Sequence, residues 1–362
     1  MSGSPFVLRW GILGPGWISA HFIKDILKDP KTRDVTDVTH LCVAVASSSS
    51  AEKAQQFIDT NAPGVAGIKA FGSYDKLLAD KDVDSVYIGV PHSLHYPVAK
   101  LALEAGKHVL VEKPMTINAK QAIHLAEIAK ANNVYLMEGA WTRFFPTTFA
   151  IQKALFEDRV IGDLVTVDAV LGHEFPKDRS HRIYDPELGG GALLDLGVYP
   201  INWSLILCYN HPDNKKTAPA SVSASALMDK ISGVDEQTHV TMMWPRINVI
   251  STAKAYITAD TSTDCRVRIT GTLGEIVVPD VTENPWRYIV RLLGQPEYVV
   301  ENPIPGHGLF YEADQFARDV RDGKKESEVM PLEESVLVQK ITDEVREQIK
   351  LKFPASAEEV SG

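Results

Sequence analysis

Short apolar runs at Val7–Leu13, Thr39–Ser47, Ile68–Phe71, Val83–Val90, His108–Val111 and Val134–Glu138 alternate with stretches of helical periodicity. Runs with so little polar alternation suit strands buried on both faces. The helical stretches follow Trp17, begin near Ala51, follow a Ser73 cap, run from about Tyr96 to a stop at Gly106, and span Ala119–Ala131. Buried strands joined by helices stack into a parallel sheet with right-handed crossovers. The expected architecture is a doubly wound α/β sheet of the Rossmann type, which binds ligands beyond the C-terminal ends of its strands.

Gly14-Pro15-Gly16-Trp17-Ile18-Ser19 lies at the first such strand end and opens a helix. Strand, glycine turn and helix together form the setting of a dinucleotide site. Gly14 permits the tight turn, Gly16 lets the backbone approach a pyrophosphate, and the helix start at Trp17 and Ile18 offers free N–H groups. An NAD site would place an acidic residue at the end of the second strand. Ser47-Ser48-Ser49-Ser50 stands there instead, with Lys53 one turn on. Hydroxyls and a cation suit a 2′-phosphate, so the pattern predicts NADP. The same serines also suit the cap of the helix near Ala51. Pro91, His95, Glu112 and Lys113 complete the expected cofactor edge, with His95 either touching the cofactor or serving as a satisfied structural histidine. His92 and His95 are three apart with no third ligand nearby, so a metal site is not expected.

Composition shifts near Trp141, which divides the chain into an expected dinucleotide-binding domain (1–141) and a substrate and oligomerisation domain (142–362). The junction carries Trp141, Arg143 and Phe145, read as pocket residues or as packing between the domains. Strand-like segments follow at 164–170, 220–227, 238–244, 248–256, 267–270, 275–278, 287–292 and 297–300, with mostly turn-length connections. They predict an α+β domain with a largely antiparallel sheet. One face would take a helix over Gly189–Leu207; an open opposite face would suit a homodimer. Two helices, 309–321 and 332–349, close the chain. Within Gly189–Leu207, Asp195 and Tyr199 are four apart, which places a carboxylate and a phenol on one helical face.

The net charge of −10 argues against a nucleic-acid or membrane surface. Three dispersed cysteines without a C-x-x-C suit free thiols in a reducing compartment, so a cytoplasmic location is expected. No secretory leader and no run of membrane-spanning length stands out, and the polar tail Glu358–Gly362 is expected to fray. The sequon at Asn202-Trp203-Ser204 sits inside an expected helix and reads as coincidence.

Glu112-Lys113-Pro114 after the fifth strand, with Gly189-Gly190-Gly191, Asp195 and Tyr199 in an antiparallel domain, resembles the glucose–fructose oxidoreductase/inositol dehydrogenase/MocA family of NAD(P)-dependent oxidoreductases. Most of that family has histidine at the position of Tyr199. The tyrosine, together with Glu138–Pro146, Ser180-His181-Arg182 and Gly306-His307-Gly308, is similar to the branch of dimeric dihydrodiol dehydrogenases and NADP-dependent D-xylose 1-dehydrogenases. The resemblance implies oxidation of a cyclic aldose, D-xylose foremost, at C1 to the lactone. Tyr199 would be the base, Lys113 would favour its phenolate, and Asp195 would bond a sugar hydroxyl or orient Lys113. Lys113, Trp141, Arg143, Phe145, Asp195 and Tyr199 would meet the substrate. Alternatives are a trans-1,2-dihydrodiol dehydrogenase, a non-catalytic NADP-binding regulator, and a hydrolase of the same fold holding NAD.

Overall fold

The computed structural model describes residues 4–360, and counts below refer to these; Ser361 and Gly362 of the expected frayed tail lie outside them. The first half builds β1 (Phe6–Leu13), α1 (Trp17–Ile26), β2 (Val38–Ala46), α2 (Ala51–Asn61), β3 (Lys69–Phe71), α3 (Tyr74–Leu78), β4 (Ser85–Ile88), α4 (His92–Glu104), β5 (His108–Glu112), α5 (Ala119–Ala131) and β6 (Leu136–Gly139). These six strands form one parallel sheet in the order β3-β2-β1-β4-β5-β6. The order reverses beside β1, which opens the crevice where such sheets take dinucleotides. Helix α4 starts at His92, a turn earlier than the periodicity predicts, and accommodates Pro97 inside it.

The second half adds α6 (Pro146–Phe156), β7 (Leu164–Gly172), α7 (Val198–Ser204), β8 (Ser221–Met228), β9 (Asp235–Trp244), β10 (Val249–Tyr256), β11 (Val267–Gly271), β12 (Gly274–Val278), β13 (Arg287–Leu292) and β14 (Tyr298–Glu301). Helices α8 (Leu309–Arg321), α9 (Leu332–Ile349) and α10 (Ala355–Glu358) follow. The eight strands form a mixed sheet, β14-β13-β12-β11-β7-β10-β9-β8, in which only β7 and β10 run parallel. Alternation along β9 and β10 sends Val240, Met242, Trp244, Val249 and Ala253 into a core shared with Leu193, Val198, Ile201 and Trp203.

Three features depart from expectation. Residues after 141 do not form one spatial unit: Leu309, Ala313, Phe316 and Ala317 of α8 pack with Trp10, Phe22 and Tyr87 of the parallel sheet and its helices. The amphipathic face of α8 completes the first core, so the boundary at 141 divides the sequence but not the packing. The tail is gripped up to Glu359. Arg346 pairs with Glu358, and the Gln121 side-chain amide donates to the carbonyls of Ala357 and Glu359 at 2.8 and 3.1 Å. Finally, the helical run Pro186–Tyr209 is long and apolar enough to cross a membrane by length and composition, contrary to the expectation that no run is. Its most apolar window is 94% buried between the sheet and its neighbours, as a central core helix is.

Candidate active site

At the first strand end, Gly14 adopts φ +89°, and a Cβ there would stand 2.9 Å from the Gly89 carbonyl oxygen. The packed chain itself therefore demands glycine at 14. Gly16 differs, since a Cβ there would make only an ordinary 3.6 Å contact. The space in front of it suits a pyrophosphate, the one approach a side chain would block. Ser19, in the third small position, donates to the Gly14 carbonyl at 2.6 Å and closes the turn. Trp17, 72% exposed, stands at the helix start beside Ile18.

Beyond β2, Ser47 is buried and its Oγ lies 3.0 Å from that of Ser49. Ser50 caps α2 by accepting from the Lys53 N–H at 3.3 Å, so the capping role expected of the serines falls to Ser50. Ser48, Ser49 and the Lys53 side chain remain exposed at the rim, and no carboxylate lies between the end of β2 and α2. That donor set fits a 2′-phosphate.

His95 is enclosed beneath the crevice. Its ring nitrogens face the carbonyls of Pro114 (2.7 Å) and Val90 (2.9 Å), and burial, with His92 nearby, pushes its pKa down to about 3. It links the Val90 carbonyl to the Lys113-Pro114 turn. Glu112 is likewise buried. It accepts from the Tyr87 hydroxyl at 2.5 Å and the Lys113 N–H at 3.2 Å, and burial raises its pKa.

Lys113 reaches out of the parallel sheet to the glycine-led run. That run is not a plain α-helix, for Leu193–Gly197 winds as a π-helix before α7. Pro200, five residues beyond Asp195, has no N–H to offer in an i→i+5 pattern. The Asp195 carbonyl instead accepts from Lys113 Nζ at 2.8 Å. The Asp195 carboxylate gathers three nitrogen-bearing side chains: Arg182 Nη1 at 3.1 Å, His92 Nε2 at 3.3 Å and Lys113 Nζ at 3.9 Å. Burial alone would raise its pKa, but Lys113, His92 and Arg182 together hold it well below the carboxylate range. His92 also faces the Gly189 carbonyl at 2.9 Å, which fixes the glycine entry against α4. His92 and Arg182 were not foreseen as partners of Asp195: His92 is remote from it along the chain, and Ser180-His181-Arg182 was read only as part of the family resemblance.

Tyr199 is half-buried one turn beyond Asp195, where its hydroxyl accepts from Trp141 Nε1 at 3.0 Å. Lys113 Nζ lies over its ring, 4.7 Å from the centroid. Burial, then Glu112 and Glu283, raise the phenol well above its ordinary pKa despite the Trp141 bond. The effect expected of the adjacent Lys113 ammonium, which favours the phenolate, is opposed there by desolvation. Phe145 packs edge-on against Trp141 at 5.5 Å. Arg143 turns away: its guanidinium meets Glu334 at 2.6 Å and Asn202 at 2.9 Å, both buried, which is the packing role at the junction.

Residues 8–140 match the model of an oxidoreductase family with an NAD-binding Rossmann fold, and residues 149–277 match the GFO/IDH/MocA C-terminal domain. The D-xylose 1-dehydrogenase (NADP(+)) of Hypocrea jecorina is 41% identical, covering 98% of this chain and 95% of that protein. The protein belongs to the GFO/IDH/MocA family of oxidoreductases. A second relative, the trans-1,2-dihydrobenzene-1,2-diol dehydrogenase of Xenopus tropicalis, is 33% identical over 96% of this chain and 99% of that one. Among solved structures, KijD10, a 3-ketoreductase from Actinomadura kijaniata in complex with NADP and TDP-benzene, superposes with a TM-score of 0.78 at 24% identity, covering 96% of this chain and 98% of that chain. An aldose-aldose oxidoreductase from Caulobacter crescentus reaches 0.78 at 21%, over 95% and 97% of the two chains. These likenesses establish the fold of this oxidoreductase.

Proposed function

We propose that this oxidoreductase uses NADP to oxidise a cyclic aldose at C1 to its lactone, with D-xylose the leading substrate. The observation that carries the reading is the convergence of Lys113, which follows β5, with Asp195 and Tyr199 of the glycine-led helical run. Similarity to the Hypocrea jecorina enzyme supports D-xylose and NADP. The phosphates would rest on Gly14, Gly16 and the start of α1, and the 2′-phosphate on Ser48, Ser49 and Lys53. When bound, NADP⁺ accepts the C1 hydride.

The remaining chemistry belongs to the chain. In the oxidation Tyr199 acts as its phenolate, its own proton having first passed to solvent, and takes the C1 hydroxyl proton as the C1 carbonyl forms; in the reverse direction its neutral phenol donates that proton. Lys113 adds positive charge beside the developing alkoxide, and the Trp141 indole N–H steadies the phenol oxygen once its proton has left. Asp195, held ionised chiefly by Lys113, with His92 and Arg182 beside it, accepts from sugar hydroxyls. A dihydrodiol is the second reading, supported by the 33% identical relative. The polar Asp195–Arg182–His92 group favours the more polar sugar. A regulator without activity would have no need of these groups.

A homodimer through the open sheet face is part of the proposal. Ser223, Thr241, Thr252, Asp168, Arg268, Val277, Ile289 and Val299 form one paired row across that face. Val165, Met243 and Ile250 are exposed beside it. Light scattering that gives a monomer mass of about 40 kDa at micromolar concentration would remove the dimer. Cytoplasmic placement is supported by the free cysteines Cys42, Cys208 and Cys265.

The deciding experiment follows NADPH formation by near-UV absorbance with D-xylose, D-glucose and a trans-dihydrodiol, each with NADP⁺ or NAD⁺. Turnover of D-xylose with NADP⁺ is expected; no turnover on any sugar would discard the sugar reading.

A further inference from the structure

The Tyr199 hydroxyl is tied to the cofactor helix by an unbroken aromatic path. Trp141 Nε1–H donates to it at 3.0 Å. The Trp141 ring stacks on His307 with centroids 5.1 Å apart and planes 25° from parallel. His307 stacks in turn on His21, at 4.2 Å and 25°. His21 lies on α1, one turn from Trp17, whose ring meets both imidazoles edge-on at 4.5 and 6.3 Å. Offset and edge-on arrays of flat rings hold a fixed geometry better than aliphatic packing does.

The backbone of the His307 loop is clamped to the same helix. Asp25 of α1 accepts from the N–H groups of His307, Gly308 and Leu309 at 3.0, 2.7 and 2.9 Å. Both flanking glycines are required by close approach. A Cβ on Gly306 would stand 2.6 Å from Asp25 Oδ1, and Gly308 sits at φ +108° against the Phe145 ring. The loop is therefore held by α1 on one side and by the Trp141–Phe145 pair on the other. The indole donates and cannot accept, so its bond leaves the phenol proton free for a substrate oxygen.

We propose that His307 is a positioning residue: through Trp141 it sets the Tyr199 phenol, and it makes that setting depend on the helix that receives the cofactor phosphates. The proposal rests on the reading of Tyr199 as the proton-transfer group. A phenol displaced by a fraction of an ångström loses alignment with the hydroxyl it serves, so the effect falls on kcat and not on binding.

The test compares His307→Ala, His307→Phe and His307→Leu in the full-length protein. It measures kcat and KM for D-xylose, the NADPH dissociation constant by fluorescence titration, and the Trp141 indole ¹H–¹⁵N resonance, assigned from its loss in Trp141→Phe. The Ala variant should lose about tenfold or more in kcat with NADPH affinity within about twofold, and its Trp141 resonance should move. Phe keeps a flat ring and should restore both; Leu fills the space without the ring and should not. Wild-type kcat in the Ala variant, Leu rescuing as well as Phe, Phe as poor as Ala, or NADPH affinity falling in step with kcat would each overturn the proposal. Tyr199→Phe measured alongside separates the two ideas. If it is active, the Tyr199 reading and this one fall together; if it is inactive while His307→Ala is fully active, this one falls alone.

Discussion

Lys113 Nζ lies on the face of the Tyr199 ring, 4.7 Å from its centroid, and spends its short hydrogen bond on the Asp195 carbonyl at 2.8 Å. The ammonium therefore sits over the ring of the phenol, on the same side as the Asp195 backbone it bonds. A substrate hydroxyl beside the pair would meet both a proton acceptor and a positive charge.

Tyr199→Phe should lower kcat by about 10²–10⁴-fold, the range of a lost general base, while NADPH affinity stays near wild type. Steady-state kinetics with a parallel NADPH titration checks this. A fully active Phe variant would show that another group takes the proton.

Asp195 and Asp235 should leave opposite marks on stability. Asp195 has a folded pKa well below 3.8, so its contribution is present above that value and lost as pH falls. Asp235 is buried behind Gly191, where it accepts from the Leu193 N–H at 2.7 Å and the Thr238 hydroxyl at 2.5 Å. Burial pushes its pKa from 3.8 to about 7. Its contribution is therefore full below 3.8 and declines as pH rises toward 7. Urea denaturation from pH 4 to 8 should show Asp235→Asn removing a decline of at most about 4 kcal/mol, and Asp195→Asn removing stability at the neutral end. Identical pH slopes for wild type and Asp235→Asn would contradict the assignment.

Arg143→Met should destabilise the fold by about 1–3 kcal/mol, because buried Glu334 loses one of its two cations at 2.6 Å and keeps only Lys216. The KM for sugar should stay within about twofold of wild type in the folded fraction. A large rise in KM with unchanged stability would return Arg143 to the substrate pocket.

Ser48→Asp places a carboxylate at the rim where the 2′-phosphate is proposed to sit. It should cut kcat/KM for NADP⁺ by about tenfold or more through like-charge repulsion and leave NAD⁺ less affected. Equal loss with both cofactors would locate the 2′-phosphate elsewhere.

Much of this molecule was legible in one dimension, for reasons that operate over a few residues. Buried strands read as unbroken apolar runs, so β1, β2, β4, β5 and β6 emerge within a few residues of their bounds. The Gly14 turn is demanded by its own backbone, and the strand end marks Lys113 without any tertiary knowledge. Asp195 and Tyr199 share a helical run, so their proximity follows from spacing.

What spacing could not convey was which charged groups share a buried site. His92, Arg182 and Lys113 meet at Asp195 only because α4, the Arg182 turn and β5 pack around one π-wound segment. Arg143 and Glu334 are far apart in sequence, and burial made them partners in packing and not in the pocket. The raised pKa of Tyr199 also belongs to the tertiary structure, since desolvation, then Glu112 and Glu283, push it up. Local periodicity and turn chemistry therefore determined the fold class and brought Asp195 and Tyr199 onto one helical run. Desolvation and the choice of ion partners are properties of the packed chain alone, and they decided how that site is charged and held.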